Sequence, residues 1–353
     1  MNIYSDIKEG KDFHKIKILG LTIYKKERKF DYIKRKYLGG IFKVVRKDNI
    51  VKYYFLGVKV FKYANKYKKI KGIINSRMAC IEDNISMMFA INKLHGNLFP
   101  QFKNKHYGQT AVLTATGPSL LHYTPLKNCK YLGVNNSYLK ITPDYWFAID
   151  GQNLTEHFEE LGKTEFTKFY GQCITSVKRH GYINKSENLR YHIPDCVIEK
   201  SNNGHKFYFS HPSLEINRDI ETQALPDLGS CVFPAMYFAL YAGFKKIYIV
   251  GCDCSNNGYF NNDIQSERWQ KGKIQQILLR GWYTFKDYYE IFNPDVELIS
   301  INPVGLKGMF RDVYTKSYIE ANPELKEELG TITYLEDIEE CQNNEQKEIL
   351  GIN

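Results

Sequence analysis

No run of eighteen apolar residues occurs in this chain, so a helix able to cross a membrane is not expected. The opening residues, MNIYSDIKEGKDF, carry charge where a secretion signal would be apolar, which makes the cytoplasm the expected address. All nine histidines lie at or before His211, so the C-terminal part offers no imidazole as acid or base. There is no Asp-x-Asp pair of the kind that carries a divalent ion in many sugar-nucleotide enzymes, and no Cys/His cluster with ligand spacing. The expectation is therefore chemistry without a metal or a resident cofactor. Of the eight cysteines only Cys252 and Cys254 are close, one residue apart, which is not a zinc-knuckle spacing. On a strand they would share one face as buried, reduced thiols.

What remains is ample material for a folded, globular protein: 353 residues, 43% hydrophobic, with net charge +10. The charge is unevenly placed. Residues 1–75 hold 21 Lys and Arg against 6 Asp and Glu, a net +15 that leaves −5 for the rest. Within that segment KIKILGLTIYKKE, KRKYLGGIFKVVRK and VKYYFLGVKVFKY each set Leu-Gly before a β-branched or aromatic run ending in Lys. Such units predict short hairpin strands with one apolar and one cationic face, as in the alternation Lys59, Val60, Phe61, Lys62. The segment suits an anionic membrane surface better than nucleic acid, which is not expected as a partner; a solvated ribbon packed on its own protein is the plainer alternative. From Glu320 onward the chain turns acidic and reads as a helical tail.

Residues 76–97 space Met78, Ile81, Ile85, Met88 and Ile91 at helical intervals. They predict a core-facing linker helix, with Ser76 as N-cap and Gly96 as stop. Strands and helices then alternate: AVLTA at 111–115, KYLGVNNS at 130–137, DYWFAID at 144–150, and a helix followed by a strand within 230–253. That order predicts an α/β fold, Rossmann-like and doubly wound around a mainly parallel sheet, with a small basic β-ribbon module before it and a helical tail after it. The expected divisions are 1–75, 76–97, 98–315 and 316–353.

In such sheets ligands sit beyond the carboxyl ends of the strands. Polar residues end each apolar run here: Thr116, Gly117, Pro118 and Ser119; Asn135 and Asn136; Asp150; Asp253. Each alone is ordinary loop chemistry, but together they point to a nucleotide or sugar pocket. Gly229 and Ser230, just before an apolar helix, could offer backbone N–H groups to a phosphate, or Ser230 could simply cap that helix. For a base, Asp253 ranks first, with Asp150 and with His205 and His211 on a segment, SNNGHKFYFSHP, read as a loop that could fold over the site. Arg268, Trp269 and Lys271 are candidates for a leaving phosphate or an acceptor, and INPVGLKGMF at 301–310 for an ordered closing loop.

The blocks TATGPSL, GVNNSY, PDYWFAID and GSCVFPAMYFALYAGFKKIYIVGCD, in this order across residues 98–310, resemble the bacterial motility accessory factor and pterin diphosphokinase-like group. More distantly they are similar to bacterial sialyltransferases that use CMP-sialic acid. That resemblance implies a glycosyltransferase of surface-glycan assembly, with a CMP-linked nucleotide-sugar donor and a glycan acceptor. It implies that Gly117, Pro118 and Ser119 hold the nucleotide, with Thr116 where those enzymes have asparagine; that Asn135 and Asp150 contact the CMP part; and that Gly229 and Ser230 lie near the phosphate or sugar. Those enzymes take their base from a histidine beyond the last of these blocks, and this chain has none there. The other branch implies diphosphate transfer from ATP with magnesium. A nucleotide- or glycan-binding accessory protein is the non-catalytic alternative.

Overall fold

The computed structural model describes residues 4–9, 13–18, 21–29, 32–38, 41–47, 50–56, 58–64, 66–150, 158–174, 193, 195–211, 218–255, 257–260 and 273–339. The chain divides into two compact units, residues 1–85 and 86–353.

The first unit is an antiparallel meander of seven strands in sequence order: β1 (Tyr4–Glu9), β2 (Phe13–Ile18), β3 (Leu21–Lys29), β4 (Tyr32–Tyr37), β5 (Phe42–Lys47), β6 (Ile50–Phe55) and β7 (Val58–Ala64). Leu38 and Leu56 of two repeats stand just past the ends of β4 and β6; their glycines, Gly39 and Gly57, and the first repeat's Leu19 and Gly20 lie outside the described residues. Helix α1 (Lys66–Leu98) runs for 33 residues, so Ser76 is not its cap and Gly96 is not its stop. The run KYKKIKGIIN contains no proline, and its lone Gly72 weakens a helix without ending it. The expected core face is also corrected: Met78, Ile81, Ile85 and Met88 are exposed, whereas Met87 and Ile91 are buried.

The second unit is built on a nine-stranded, wholly parallel sheet: β8 (Thr110–Thr114), β9 (Lys130–Val134), β10 (Tyr145–Ala148), β11 (Thr167–Cys173), β12 (Gly204–Ser210), β13 (Leu225–Pro226), β14 (Lys246–Val250), β15 (Glu297–Ile301) and β16 (Arg311–Val313). The spatial order is β13-β12-β11-β10-β9-β8-β14-β15-β16. From β8 the chain winds outward to β13, returns through α4 (Val232–Tyr241), and starts the other half at β14, beside β8. The α/β, Rossmann-like, doubly wound fold is thereby established, with its switch point between β8 and β14.

Alternate residues feed two layers, as a two-residue period requires. Ala111, Leu113, Phe147, Ile247 and Ile249 join one core with Phe233 and Phe238 of α4 and Trp282 and Phe285 of α5 (Lys273–Phe292). Val112, Tyr248 and Val250 pack on the opposite face with Leu120 and Leu335, and Trp146 and Ala148 with Leu161 of α2 (Phe158–Lys163) and Ile198 of α3 (Asp195–Glu199). Phe147 and Phe169 stack at 4.5 Å between ring centroids. At the C-terminal end α6 (Lys316–Ala321) is capped by Thr315, whose side chain accepts from the Tyr318 N–H; α7 (Glu324–Leu329) follows.

Candidate functional site

Every strand of the parallel sheet delivers its carboxyl end to one edge, so the loops after β8, β9, β10, β12, β13 and β14 share it. At the switch point two of these loops are fastened together. Ala115 N donates to Val250 O at 2.9 Å and Gly117 N to Gly251 O at 2.7 Å. A Cβ on Gly117 would lie 2.5 Å from Asp253 Cγ and 2.6 Å from Gly251 O, so only glycine permits this approach. Gly251 has φ +73°, and a Cβ there would meet Ala115 O at 2.5 Å.

Pro118 opens a 3-10 turn, Pro118–His122, whose second residue is held by the other loop. Ser119 N donates to Asp253 Oδ2 at 2.9 Å, and the Ser119 hydroxyl donates to Asp253 Oδ1. Asp253 is buried, and burial raises its pKa above the ordinary carboxylate value while the Ser119 bonds pull it down. The residue ranked first as base is thus a buried carboxylate with both oxygens engaged. Those two bonds hold the turn. Ser119, also buried, spends its hydroxyl on the same contact. Thr116 O accepts from Phe260 N at 2.8 Å.

After β9 the chain enters a second 3-10 turn, Asn135–Leu139. Asn135 takes φ +48° and its carbonyl accepts from Trp146 Nε1 at 2.7 Å. Ser137 Oγ accepts from Val134 N at 3.0 Å and from Thr114 Oγ1 at 3.2 Å. Asn136 is only 5% exposed, and its Oδ1 has no hydrogen-bond partner among the described residues. An orphaned, buried amide oxygen is uncommon enough to need an explanation. Gln172, at the carboxyl end of β11, repeats the pattern: Nε2 donates to Ile193 O at 2.6 Å and Oε1 has no such partner.

A third group gathers around the start of α4. Asp227 is buried after β13, and its Oδ2 bonds His211 Nδ1 directly beyond β12. The imidazole keeps 30% of its side-chain surface exposed. Asp227 Oδ1 accepts from Gly229 N at 3.3 Å, and the turn holds Leu228 at φ +40° and Gly229 at φ +92°. Ser230 Oγ accepts from Val232 N at 3.3 Å, but the cap position of α4 is Cys231, which makes no side-chain cap bond. Cys231 Sγ donates to Phe147 O of β10 at 3.2 Å, which brings the N-terminus of α4 to β10. Burial raises the Cys231 pKa, and the carboxylates of Asp150 and Asp227 add to it, so both stand close to that thiol.

Four non-glycine residues in the left-handed region, Asn135, Leu228, Cys254 and Asn302, follow the carboxyl ends of β9, β13, β14 and β15. Backbone strain of this kind collects where a ligand shell is being shaped.

Other expected residues stand elsewhere. His205 is not on a loop: Gly204–Ser210 is β12, paired on both sides, and His205 occupies its amino end. There its ring packs 5.7 Å from Phe169 and 6.4 Å from Phe102, and burial lowers its pKa. It is at the wrong end of the sheet to meet Gly117 or Asp150. Cys252 and Cys254 lie in the loop after β14 and not on a strand. Residues 301–310 finish the core through Leu306 and Met309, with Gly305 N donating to Asp253 O at 2.7 Å. Arg268, Trp269 and Lys271 lie outside the described residues. Among the described residues no three His, Cys, Asp or Glu side chains are grouped to hold a metal ion, and no helix is long and apolar enough to cross a membrane.

Sequence reading missed the partner of His211. Asp227 was visible only as the first residue of DLGS, and Gln172 sits in KFYGQC, a short apolar run ending in a polar residue like the others.

No family model and no curated protein matches the chain. Among solved structures it is similar to the MAf glycosyltransferase from Magnetospirillum magneticum AMB-1, at 14% identity and TM-score 0.37, over 64% of this chain and 38% of that one. A second likeness, to TarM, has 9% identity and TM-score 0.14, over 92% of this chain and 72% of that one. The chain thus spans well under half the length of the MAf structure.

Proposed function

We propose that this protein is a glycosyltransferase that binds a nucleotide-sugar along the carboxyl edge of its parallel sheet and uses His211 as the base. The observation that carries the reading is the His211–Asp227 pair, a partly exposed imidazole held by a buried carboxylate on the same edge as the Gly117–Ser119 turn. Four strand spacings separate β8 from β12, about 19 Å at ~4.8 Å each. An elongated ligand, with its recognition group at one end and its reacting group at the other, suits that separation.

In this reading the nucleotide lies toward β8 and β9. The Asn136 Oδ1 acceptor takes an N–H or O–H of the ligand, and so gains the partner that it lacks. The phosphate lies at the N-terminus of α4, a ten-residue helix that Gly229 and Ser230 precede. In the transfer step the bond from the sugar's anomeric carbon to the phosphate oxygen breaks, and its electron pair leaves with the phosphate. The acceptor hydroxyl oxygen bonds to that carbon and its proton passes to His211, with Asp227 steadying the imidazolium. Asp253 and Ser119 are positioning residues. The four sequence blocks that resemble CMP-sialic-acid enzymes favour a CMP-linked, sialic-acid-like donor and a surface-glycan acceptor.

The test is thermal stability of the purified chain with CMP, UDP, GDP, ATP and their sugar conjugates, with EDTA or with magnesium, followed by turnover of whichever donor stabilises it. A shift with CMP or a CMP-sugar in EDTA, and product formation lost in His211→Asn, supports the proposal. Stabilisation only by ATP with magnesium, or full turnover in His211→Asn, overturns it.

A further inference from the structure

We propose that the N-terminal meander is a peripheral membrane anchor that pushes the apolar tips of its β4–β5 and β6–β7 hairpins into an anionic bilayer and seats a lysine row on the headgroups. This inference is independent of the chemistry proposed for the parallel sheet.

Strand register sets the lysines in line. Lys15 pairs with Lys25, Lys25 with Lys36, Lys36 with Lys43, Lys43 with Tyr54, and Tyr54 with Lys59. Four consecutive strands therefore place a lysine directly opposite a lysine, ~4.8 Å apart. Like charges opposite one another destabilise a sheet. Two residues farther along the strands, Lys34 and Lys52 lie on the same face, with Val45 between them and Glu27 beside Lys34. Glu27, on that face, is tied to Lys25. Lys43 Nζ lies 4.8 Å above the Tyr54 ring.

The edge of the sheet beside that row is apolar. Leu38, Ile41, Phe42, Phe55 and Leu56 are 41–67% exposed, and all belong to the tips of the two hairpins. They are drawn together by a Leu56 N to Ile41 O hydrogen bond of 2.8 Å and by the Phe42 and Phe55 rings at 5.1 Å. Leu38 and Leu56 also hold φ +48° and +47°, a conformation that favours glycine or asparagine. Leucine there is unfavourable twice, through its backbone and through its exposure.

Depth along the strand orders the chemistry. The leucine tips come first, Phe42 and Phe55 next with Tyr37, and Lys36, Lys43 and Tyr54 one residue further, about 3.4 Å deeper into the sheet. Apolar tip, aromatic ring and cation is the sequence met on leaving an acyl layer through its interface into the headgroups. RNA would use the cations and leave the exposed leucines unused.

The experiment is flotation of the full chain with vesicles of phosphatidylcholine alone and of phosphatidylcholine mixed with phosphatidylglycerol, at low and high salt. Binding is expected to the mixed vesicles and to weaken with salt. Lys36→Gln with Lys43→Gln should weaken it roughly fivefold per lysine. Leu38→Asn with Leu56→Asn should weaken it tenfold or more. Asparagine suits the left-handed backbone, so this second variant keeps its melting temperature, and its loss of binding cannot be ascribed to unfolding. Equal flotation of both variants and the parent, binding to phosphatidylcholine alone, or absence of flotation overturns the proposal. So does full binding by the asparagine variant, or protection of the lysine face by single-stranded RNA without any vesicle binding.

Discussion

Ser119 and Asp253 are 134 residues apart in sequence, yet the serine N–H and hydroxyl both end on the one carboxylate, the former at 2.9 Å. That contact joins the first strand of one half of the sheet to the first strand of the other. Asp253→Asn leaves one acceptor where there were two and turns an amide N–H₂ toward a donor. It should cost about 1–3 kcal/mol of unfolding free energy, read by urea denaturation. Ser119→Ala keeps the backbone bond and should cost less. An Asp253→Asn protein of parental stability that binds donor but does not turn it over would return Asp253 to the role of base.

Gly117→Ala tests how closely the two loops approach. With Asp253 Cγ 2.5 Å and Gly251 O 2.6 Å from the added carbon, the turn must open. A loss of roughly 1–3 kcal/mol is expected, together with weaker nucleotide binding in the thermal-shift assay.

Asn136→Leu distinguishes an unmet structural need from a ligand contact. No described group donates to Oδ1, so removing it should leave the stability of the free protein within about 1 kcal/mol of the parent, or raise it. Donor binding, measured by calorimetry, should weaken. A large loss of stability would make the residue structural.

His211→Asn and Asp227→Asn should each lower turnover about 10²–10⁴-fold with donor affinity little changed. The double variant should fall barely further than His211→Asn alone, because the carboxylate acts through the ring. Additive losses would mean that the two residues act separately.

His95 predicts the acid side of the stability profile. It is wholly buried, with Nδ1 2.9 Å from Ile220 O and 3.1 Å from Gln223 O, and Nε2 accepting from Tyr208 N at 2.7 Å. Burial lowers its pKa to about 4, against backbone bonds that raise it. As pH falls below 6.5 the unfolded chain takes up a proton that the folded one refuses. Stability is therefore complete above 6.5 and declines toward pH 4 by about 1.4 kcal/mol per pH unit for this one group. Urea midpoints across that range should show the slope, and His95→Gln should remove it while lowering stability at neutral pH.

The strands legible in sequence, β8, β9, β10 and β14, are short apolar runs closed by small polar residues, and α4 is apolar all round. Strand β12 was hidden because HKFYFS opens with His and Lys ahead of its phenylalanines and follows SNNG, a turn signal. Phe207 and Phe209 are nonetheless fully buried. Asp227 and His211 are 16 residues apart and meet only because β12 and β13 are parallel neighbours, a pairing no local pattern encodes. The lysine row was equally out of reach: alternation gives each strand a cationic face, but turn lengths decide which lysine stands opposite which. Local patterns gave the kind of sheet, and register gave the site.

In the meander each strand bonds only to the strands beside it in sequence, while the parallel sheet cannot close its centre until Val250 reaches Thr114. Loop closure is short in the first case and long in the second, so the two sheets should assemble at very different speeds. During synthesis the meander has all of its pairing partners once residue 64 has emerged, long before β14 exists. Its lysine row and its leucine tips are therefore complete while the rest of the chain is still being made, and whatever the meander is built to meet it can meet before the parallel sheet exists.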